Sequence, residues 1–559
     1  MRHSSAHVMA DAVTQLFPNV KVTIGPCVEE GFYYDFDYEK PFTPEDLEKI
    51  EAKMGEIVNK NLPFERKEIS KKEAVEFFKK RGEKYKVEII GGIPDAEKIS
   101  LYQHGDFVDL CKGPHVSKTG EIKAFKLLSV AGSYWRGDEK RERLQRIYGT
   151  AFAGEGELKE YLNRLEEAKK RDHRKLGKEL GLFSFHEEAP ASPFFHPKGA
   201  LVYRLMIDYL RKLYASEGYD EVITPEILDL TLWEKSGHLE HFRENMYFTK
   251  VENREMAVKP MNCPGHCLMY GERRWSFREL PVRFADFGRL HRFERSGVTH
   301  GLTRVRTFSQ DDAHIYCAPE QMEEEMLSFI RLVKKVYKDF GFEEVDVALA
   351  TRPEKAMGSP ELWKEAEGKL GAALKKEELE YKVNEGEGAF YGPKIEFQVK
   401  DALKRPWQLG TLQVYYSMTE RFDLKYVSSG GEEKRPVMLH RAILGSLERF
   451  FAILIEHCGG AFPFWLAPVQ IALLTISEEQ APYALQLKNS LSDQGFRVEI
   501  DGRNEKLGLK IRENQLKKVP YMAVLGAKEA SGGTLAIRHR TEGDLGSQTL
   551  EQFVSKIKT

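Results

Sequence analysis

The sequence predicts a multidomain protein of mixed α+β and α/β class, and three observations lead to this prediction. The chain has 559 residues, which is too long for one hydrophobic core and indicates roughly three or four domains. Apolar residues recur with helical spacing in some segments and with strand-like alternation in others. Past Trp465 strands and helices alternate regularly, which predicts a separate C-terminal α/β domain.

Composition excludes several classes of protein. Hydrophobic residues make up 41% of the chain and charged residues 31%, which is typical of a soluble globular protein. The net charge is -2, so any nucleic-acid contact must come from local basic patches. The longest apolar candidate, residues 444–466, carries four ionisable side chains, and residues 1–13 do not resemble a signal peptide. We therefore expect a cytoplasmic protein without a membrane span, and six scattered cysteines that form no disulfide framework.

The N-terminal region begins with an amphipathic helix over residues 4–17, followed by a strand over 31–37 and helices over 43–61 and 71–81. Thr43 and Pro44 suit the cap and the first turn of a helix. His3 and His7 would share one helix face, and Cys111 and His115 flank a Gly-Pro turn after a strand. From the residues alone these four could form a zinc site, form a hydrolytic pocket, or have no functional role.

The middle of the chain begins with a charged helical segment, residues 155–182, and a Pro- and Ser-rich boundary at 183–197. Its basic residues suit either a solvated connector or a phosphate contact: Lys169, Lys170, Arg171, Arg174, Lys175 and Lys178. Next come a helix over 201–217 and a strand that ends at Pro225. Strands, or strands that enter a helix, are predicted at 390–397, 407–415 and 437–450. In the C-terminal domain we predict strands at 469–474, 497–500, 521–525 and 535–539, with helices at 481–494, 507–518 and the C-terminus.

Residues 292–314 read RFERSGVTHGLTRVRTFSQDDAH and predict a β-hairpin with a long tip. Arg292, Arg304 and Arg306 lie on its two arms, where their guanidinium groups could converge on a polyphosphate. Three other side chains, Cys263, His314 and His440, could make a catalytic zinc site with one open position. Their spacing alone does not select them, because Cys267 lies one helical turn from Cys263.

Several strings together resemble one family. The hairpin, the segment LGSLERF at 444–450 and the strand ending at Pro225 look like the three signature motifs of class II aminoacyl-tRNA synthetases. MNCPGH, FSQDDAH, FYGPKIEF, VMLHRAILGSLERF and RDHRKLGKEL resemble the threonyl-tRNA synthetase family specifically, and the match runs from His3 to the last helix. This resemblance implies a class II antiparallel sheet core, an N-terminal α+β editing domain, a C-terminal α/β anticodon-binding domain and a homodimer. The implied boundaries are 1–154 (editing), 155–182 (linker helix), 183–466 (catalytic) and 467–559 (anticodon-binding).

The resemblance also implies roles in ATP binding. Arg292 would hold the α-phosphate, Phe308 would stack on adenine opposite Arg449, and Arg304 and Arg449 would hold the outer phosphates with Mg²⁺. Arg292, Lys394 and Arg449 are the implied catalytic residues. The implied ATP-binding set is Arg292, Glu294, Arg304, Phe308, Gln408, Thr411, Ser446 and Arg449.

For threonine, the resemblance implies a zinc ion, one per subunit, held by Cys263, His314 and His440. The implied substrate contacts are Met261, Gln310, Asp312, Tyr391 and Gln413. An apolar pocket separates threonine from isosteric valine by only about a hundredfold, whereas a metal that takes the amine and the hydroxyl rejects valine. Serine differs from threonine by one methyl group, worth about 1 to 3 kcal/mol, so a second, hydrolytic site is required.

The implied editing residues for Ser-tRNA are His3, His7, Cys111 and His115, with Tyr34, Lys86 and Asp109. Glu529 and Arg538 fall where anticodon contacts are expected, and the basic residues at 169–178 suit the acceptor arm of tRNA(Thr). The family usually begins with a small ubiquitin-like domain, and we expect this chain to lack it. Two alternatives compete with this interpretation: a class II synthetase for serine or proline, and a catalytically silent paralogue that binds RNA. The metal trio and the His/Cys cluster argue against the first, and Arg292, Arg304, Lys394 and Arg449 argue against the second.

Overall fold

The computed structural model describes residues 1–28, 30–95, 97–138 and 140–558. The chain divides into two compact units, Met1–Glu166 (the N-terminal unit) and Glu167–Thr559 (the C-terminal unit). Among the described residues no helix is both long enough and apolar enough to cross a membrane.

The N-terminal unit is built on a five-stranded antiparallel sheet with Gly31–Asp37 at its centre. Its strands are Lys21–Val22, Cys27–Val28, Gly31–Asp37, Arg143–Phe152 and Ala124–Tyr134. A second sheet pairs Glu65–Ile69, Ile99–His104 and Phe107–Leu110. The helices are Arg2–Leu16, Pro44–Asn59, Lys71–Lys80, Lys84–Gly91 and Glu155–Arg171, the last of which crosses the boundary between the units.

Helix Arg2–Leu16 lies in the core of this unit because its small and apolar residues, such as Val8 and Val13, pack against Phe32 and Phe36 of the central strand. Helix Pro44–Asn59 begins where predicted, since the Thr43 hydroxyl and the Asp46 carboxylate form a capping box.

The C-terminal unit contains an eight-stranded sheet whose six inner strands are antiparallel. In order across the sheet its strands are Asp220–Glu221, Val282–Asp286, Asp312–Cys317, Val437–Ala442, Pro406–Tyr415, Lys394–Lys400, Val345–Ala350 and Lys382–Asn384. Helices Pro197–Ser216, Met322–Asp339 and Leu447–Cys458 supply buried residues to the large core beside it.

Smaller elements surround this sheet. The strand pairs and triples are Phe183–Ser184 with Phe194–Phe195, Arg289–His291 with Thr307–Ser309, Ile227–Asp229 with Arg254–Val258 and Tyr247–Val251, and Trp275–Ser276 with Tyr426–Val427 and Glu433–Lys434. The remaining helices of this region are His173–Glu179, Leu230–Ser236, His238–Phe242, Cys263–Gly271, Pro360–Lys376 and Tyr416–Arg421.

The last part of the C-terminal unit is a five-stranded mixed sheet with its own core. Its strands, in spatial order, are Val498–Asp501, Ile471–Thr475, Tyr521–Leu525, Thr534–His539 and Gly543–Thr549. Its helices are Ala481–Ser492, Leu507–Leu516, Ala527–Gly532 and Leu550–Lys558. Together with the antiparallel sheet, this α/β region confirms the predicted fold class.

Several predicted elements were wrong in detail. The charged helix over 155–182 is two helices, because Asp172 leaves the helical conformation and its carboxylate caps the backbone N–H of Arg174. The strand at 221–225 is only Asp220–Glu221, and residues 390–393 form a turn ahead of strand Lys394–Lys400. Helix Ala527–Gly532 and strand Gly543–Thr549 were not predicted, since short, glycine-bounded polar segments give little periodic signal.

Candidate functional sites

The register of the eight-stranded sheet places predicted site residues side by side. His314 pairs with His440 on the next strand, His440 pairs with Gln413, and Gln413 pairs with Lys394. Paired residues on neighbouring strands point to the same face of a sheet, so four strands contribute to one polar row.

Cys263 joins this row from the start of helix Cys263–Gly271, where Pro264 occupies the first turn. The ligand atoms of Cys263, His314 and His440 lie within 4.8 Å of one another. His314 is fully buried, and its Nε2 has no hydrogen-bond partner in the described structure. Burial raises the pKa of the Cys263 thiol well above its ordinary value, so its thiolate needs a cation beside it. One thiolate and two imidazoles fit a catalytic zinc site.

The other nitrogen of His314 is held from behind. His314 Nδ1 lies 2.7 Å from Nδ1 of His266, one helical turn after Cys263, and His266 Nε2 lies 3.5 Å from Asp286 Oδ2. Asp286 in turn accepts a hydrogen bond from the Thr224 hydroxyl at 2.8 Å. All four side chains are buried. This series of contacts fixes the ring orientation of His314, as the outer partners of metal-binding histidines do.

Asp312 faces the same place. Its Oδ1 lies 2.7 Å from His440 Nε2, and its Oδ2 accepts a hydrogen bond from Asn262 Nδ2 at 3.0 Å. Burial alone would raise the pKa of Asp312, but His440 and His314 hold it well below its usual range. Asp312 therefore presents a carboxylate beside the candidate metal ligands.

A cavity of about 650 Å³ opens in front of this row. It is lined by every predicted ATP-binding and threonine-binding residue and by two more predicted residues: Arg292, Glu294, Arg304, Phe308, Gln408, Thr411, Ser446, Arg449, Met261, Gln310, Asp312, Tyr391, Gln413, Lys394 and His440. The other two metal candidates, Cys263 and His314, are fully buried and do not line it.

The hairpin brings together two of its three arginines. Arg292 and Arg304 line the cavity, and the Arg292 guanidinium lies 5.1 Å from the centre of the Phe308 ring. Arg306 instead donates two hydrogen bonds to the Glu294 carbonyl oxygen, at 2.9 and 2.8 Å, so the expectation that all three converge was wrong. The two arms of the predicted hairpin are also short: the strands are only Arg289–His291 and Thr307–Ser309, and Leu302 is drawn into the core.

Sequence reasoning missed three buried residues that support the cavity. Glu396 pairs with Lys394 and accepts a hydrogen bond from Gln408 Nε2 at 2.8 Å. Glu448 accepts hydrogen bonds from Arg289 Nη1 at 2.9 Å, Ser309 N at 3.0 Å and the Tyr203 hydroxyl at 2.9 Å. His266 stands in the MNCPGH string, and its spacing from Cys263 was the available signal.

In the N-terminal unit, Cys111 lies between two histidines. Its Sγ is 3.2 Å from His3 Nε2 and 3.2 Å from His115 Nε2. His7 Nδ1 lies 3.5 Å from Asp109 Oδ2, which also accepts a 2.7 Å hydrogen bond from the Tyr34 hydroxyl. Lys86 forms a buried ion pair with Asp109. All seven predicted editing residues therefore belong to one cluster.

This cluster borders a cavity of about 380 Å³, lined among others by His3, His7, Lys86, Asp109 and Cys111. Burial raises the pKa of Cys111 to about 11 and lowers that of His115 to about 3. Burial also lowers the pKa of His3, and that of His7 strongly. At neutral pH the site therefore offers neutral imidazoles and a protonated thiol. The neutral imidazoles can orient and deprotonate a water molecule.

The two candidate anticodon residues make different contacts. The Glu529 carboxylate accepts a 2.9 Å hydrogen bond from Gly526 N and caps helix Ala527–Gly532. Arg538 lies on strand Thr534–His539, 3.8 Å from Asp544. Of the basic residues at 169–178, Arg171 donates to the His457 carbonyl oxygen and Arg174 pairs with Asp172, so these two have structural partners.

Three family models match the chain. Residues 247–458 match "tRNA synthetase class II core domain (G, H, P, S and T)", and residues 470–559 match "Anticodon binding domain". Residues 99–148 match "Threonyl and Alanyl tRNA synthetase second additional domain".

Similar proteins and structures agree with these matches. The threonine--tRNA ligase of Clostridium tetani is 56% identical over 557 residues, covering 100% of this chain and 87% of that protein. The crystal structure of the RNA-binding domain of threonyl-tRNA synthetase from Cryptosporidium parvum has a TM-score of 0.67 and 45% identity, covering 69% of this chain and 98% of that one. The crystal structure of the threonyl-tRNA synthetase ThrRS-1 from Aeropyrum pernix has a TM-score of 0.61 and 30% identity, covering 70% of this chain and 94% of that one. The chain therefore belongs to the threonine--tRNA ligase family of class II aminoacyl-tRNA synthetases.

Proposed function

We propose that the C-terminal unit activates threonine with ATP to threonyl-adenylate and transfers the threonyl group to tRNA(Thr). The N-terminal unit hydrolyses mischarged Ser-tRNA(Thr). The observation that supports this most is the single cavity that collects the phosphate-binding arginines, the polar row and the candidate metal ligand His440.

ATP would lie along the hairpin. Arg292 would hold the α-phosphate, Arg304 and Arg449 the outer phosphates together with Mg²⁺, and Phe308 the adenine. Arg304 is paired with Glu294 at 3.0 Å and is more than half exposed, so it can turn from this carboxylate to a phosphate without a large desolvation cost.

The threonine carboxylate is the nucleophile, so no protein base is needed to form the adenylate. The protein supplies in-line geometry and cationic groups that neutralise charge at the α-phosphate, which are electrostatic contributions to catalysis. Arg292 and Lys394 face this region of the cavity.

Threonine would be selected at the Cys263, His314 and His440 cluster. A zinc ion held there would supply open coordination positions for the amine and the hydroxyl of the substrate. Asp312 would accept a hydrogen bond from the threonine hydroxyl, and Tyr391 would cover the substrate. Tyr391 is stacked on Tyr415 with a centroid distance of 4.0 Å, which fixes its plane.

Editing would use the cluster around Cys111. Neutral His3 or His7 would accept a proton from water that attacks the seryl ester, while Asp109 and Lys86 would fix His7 and the terminal nucleotide. Because Cys111 stays protonated at neutral pH, its role would be to donate or orient a hydrogen bond and not to attack the ester.

The remaining assignments follow from family membership. We infer four segments, 1–154, 155–182, 183–466 and 467–559, for editing, linker, catalysis and anticodon binding, and a cytoplasmic homodimer that contacts tRNA(Thr) through Glu529, Arg538 and the basic linker. The match of residues 470–559 to an anticodon-binding model supports the last segment.

The test is threonine-dependent exchange of pyrophosphate into ATP by the purified protein, with zinc measured on the same sample. Wild-type protein should exchange and contain about one zinc ion per chain, whereas Cys263→Ser should lose both. Full exchange by a zinc-free Cys263→Ser protein would contradict the proposed site. Cys458→Ser is the matched control, because that cysteine lies outside the cluster.

A further inference from the structure

The hairpin tip, residues 296–304 (the tip loop), has two faces with different surroundings. Its front carries Val298, His300, Thr303 and Arg304, which line the cavity. Its back is fastened at one residue, Leu302, whose side chain is fully buried and whose backbone N–H donates a 3.0 Å hydrogen bond to Nε2 of His173.

His173 is held equally firmly on its other side. Its Nδ1 lies 2.6 Å from Oε1 of Glu456, near the end of helix Leu447–Cys458, and its own backbone N–H donates to the same oxygen at 3.1 Å. A backbone N–H can only donate, so His173 Nε2 must carry the lone pair and Nδ1 the proton. The ring is therefore neutral and donates to Glu456, and both nitrogens are occupied.

That occupancy argues against a metal site. Asp172, His173 and Glu456 lie close enough together to hold a cation. However, His173 has no free ring nitrogen, and the Asp172 carboxylate caps Arg174 N at 2.8 Å. The cluster instead connects three elements: the tip loop, helix His173–Glu179 and helix Leu447–Cys458. We call this set of contacts the joint.

The fit of the tip loop against His173 is close. A Cβ atom on Gly301, whose φ is +47°, would lie 2.1 Å from His173 Nε2 and 2.9 Å from Arg174 Cγ. Only glycine allows the backbone to approach the ring at this point.

The contacts of His173 continue to a second residue that lines the cavity. Glu456 also pairs with Arg405, Arg405 pairs with Asp401, and Asp401 accepts a 3.0 Å hydrogen bond from Trp407 Nε1. Trp407 and Arg304 both line the cavity. His173 therefore connects the backbone of the tip loop with a network that ends at a residue lining the same cavity.

We propose that His173, in the second of the two linker helices, is a positioning residue for ATP: it holds the tip loop through Leu302 N–H so that Arg304 faces the triphosphate. This inference rests on the proposed ATP site. It assigns to the RDHRKLGKEL segment a role in the activation step, separate from any contact with tRNA.

Two conservative variants separate the two halves of the joint. His173→Asn places an amide near the Nδ1 position and keeps a donor for Glu456, but leaves Leu302 N–H without an acceptor. His173→Gln reaches the Nε2 position and can offer an oxygen to Leu302. Glu179→Ala, on the exposed face of the same helix, is the control.

Each full-length protein is examined by amide hydrogen exchange over residues 296–305 and by ATP dependence of threonine-dependent pyrophosphate exchange. We expect His173→Asn to speed exchange at Leu302 by about tenfold, since one hydrogen bond is lost. KM for ATP should rise roughly threefold to tenfold with little change in kcat, the pattern of lost uniform binding. His173→Gln and Glu179→Ala should stay near wild type.

The proposal is overturned if His173→Asn leaves both measurements unchanged, or if His173→Gln is as impaired as His173→Asn. Should His173→Asn not fold, Gly301→Ala tests the joint from the loop side and must give the same rise in KM for ATP. Wild-type protein without pyrophosphate exchange would refute the proposed function instead, and hydrogen exchange would still report whether His173 holds the loop.

Discussion

The two ring nitrogens of His314 have different surroundings, and this difference fixes what the residue can do. Nε2 is buried without a partner, whereas Nδ1 lies 2.7 Å from His266. A buried imidazole nitrogen without a hydrogen bond costs free energy unless something occupies it. This orientation of His314 would present Nε2 to the proposed zinc ion shared with Cys263 and His440.

Replacing His266 by alanine should weaken zinc binding without removing a ligand. The His314 ring would lose its outer partner, and affinity should fall by about tenfold to a hundredfold. Competition with a chromophoric chelator measures the zinc affinity directly. The absorption spectrum of the Co²⁺-substituted protein reports the ligand field. Unchanged affinity in His266→Ala would show that His266 does not orient His314.

The editing activity should persist to lower pH than it would if it depended on an imidazole of ordinary pKa. Burial disfavours the charged forms of His3 and His7 and lowers the pKa of His115 to about 3, so protonation in the folded protein occurs at lower pH than the usual 6.5. The deacylation rate of Ser-tRNA(Thr) should therefore hold through the pH range in which an ordinary imidazole is protonated and fall only at more acidic pH. A rate that halves near pH 6.5 would contradict neutral buried imidazoles.

The double variant His3→Ala with His7→Ala supplies the baseline for that measurement. It should charge threonine at the wild-type rate, because aminoacylation is proposed to use the C-terminal unit, but it should accumulate Ser-tRNA(Thr). Deacylation by the double variant at the parental rate would place hydrolysis elsewhere.

At the scale of elements, helix Leu447–Cys458 and the hairpin are joined through one carboxylate. Glu448 is fully buried, and it accepts hydrogen bonds from Arg289 and Ser309 on the two paired hairpin strands. The helix can therefore set the position of both strands, and with them Arg292 and Phe308.

Glu448→Ala should loosen this joint. It leaves Ser309 N–H and Arg289 without their acceptor, at a cost of about 1 to 3 kcal/mol for a buried unsatisfied group. Amide exchange of residues 289–291 and 307–309 should accelerate, with a smaller effect in Glu448→Gln, which keeps an acceptor. Equal protection in wild type and Glu448→Ala would rule out this function for Glu448.

Some elements could be predicted from sequence because local rules decide them. Strand Gly31–Asp37 and the start of helix Pro44–Asn59 follow from alternation and from the Thr43 cap. The tip loop could not, because the sequence suggested a strand-like segment from Leu302 onward whereas long-range packing draws Leu302 into the core. The bond between Leu302 and His173 joins residues 129 positions apart, and no local pattern reports it.

The residues that line the cavity could be predicted, but the buried residues that hold them in place could not. The resemblance named every residue that lines the cavity in a proposed role. It gave no role to Glu396, Glu448 and His266, which stand in the same strings but were identified only from burial and hydrogen bonds. Arg306 shows the converse, since three arginines on a hairpin looked equivalent until one was found bonded to the Glu294 carbonyl oxygen.

At the scale of the whole molecule, the two proposed tasks, amino-acid selection and editing, belong to different units. The proposed selection by metal coordination in the C-terminal unit would reject valine but could not strongly reject serine, since the two hydroxyl amino acids differ by one methyl group. The cluster around Cys111 in the N-terminal unit would then remove the serine product. Each unit has its own core and its own cavity, so variants in one should leave the chemistry of the other intact.

The most direct test compares threonine, serine and valine in amino-acid-dependent pyrophosphate exchange by the zinc-loaded protein. We expect strong exchange with threonine and measurable exchange with serine, because both bring an amine and a β-hydroxyl to the cluster of Cys263, His314 and His440. Valine should give none above background. Exchange with valine equal to that with serine would contradict selection by metal coordination.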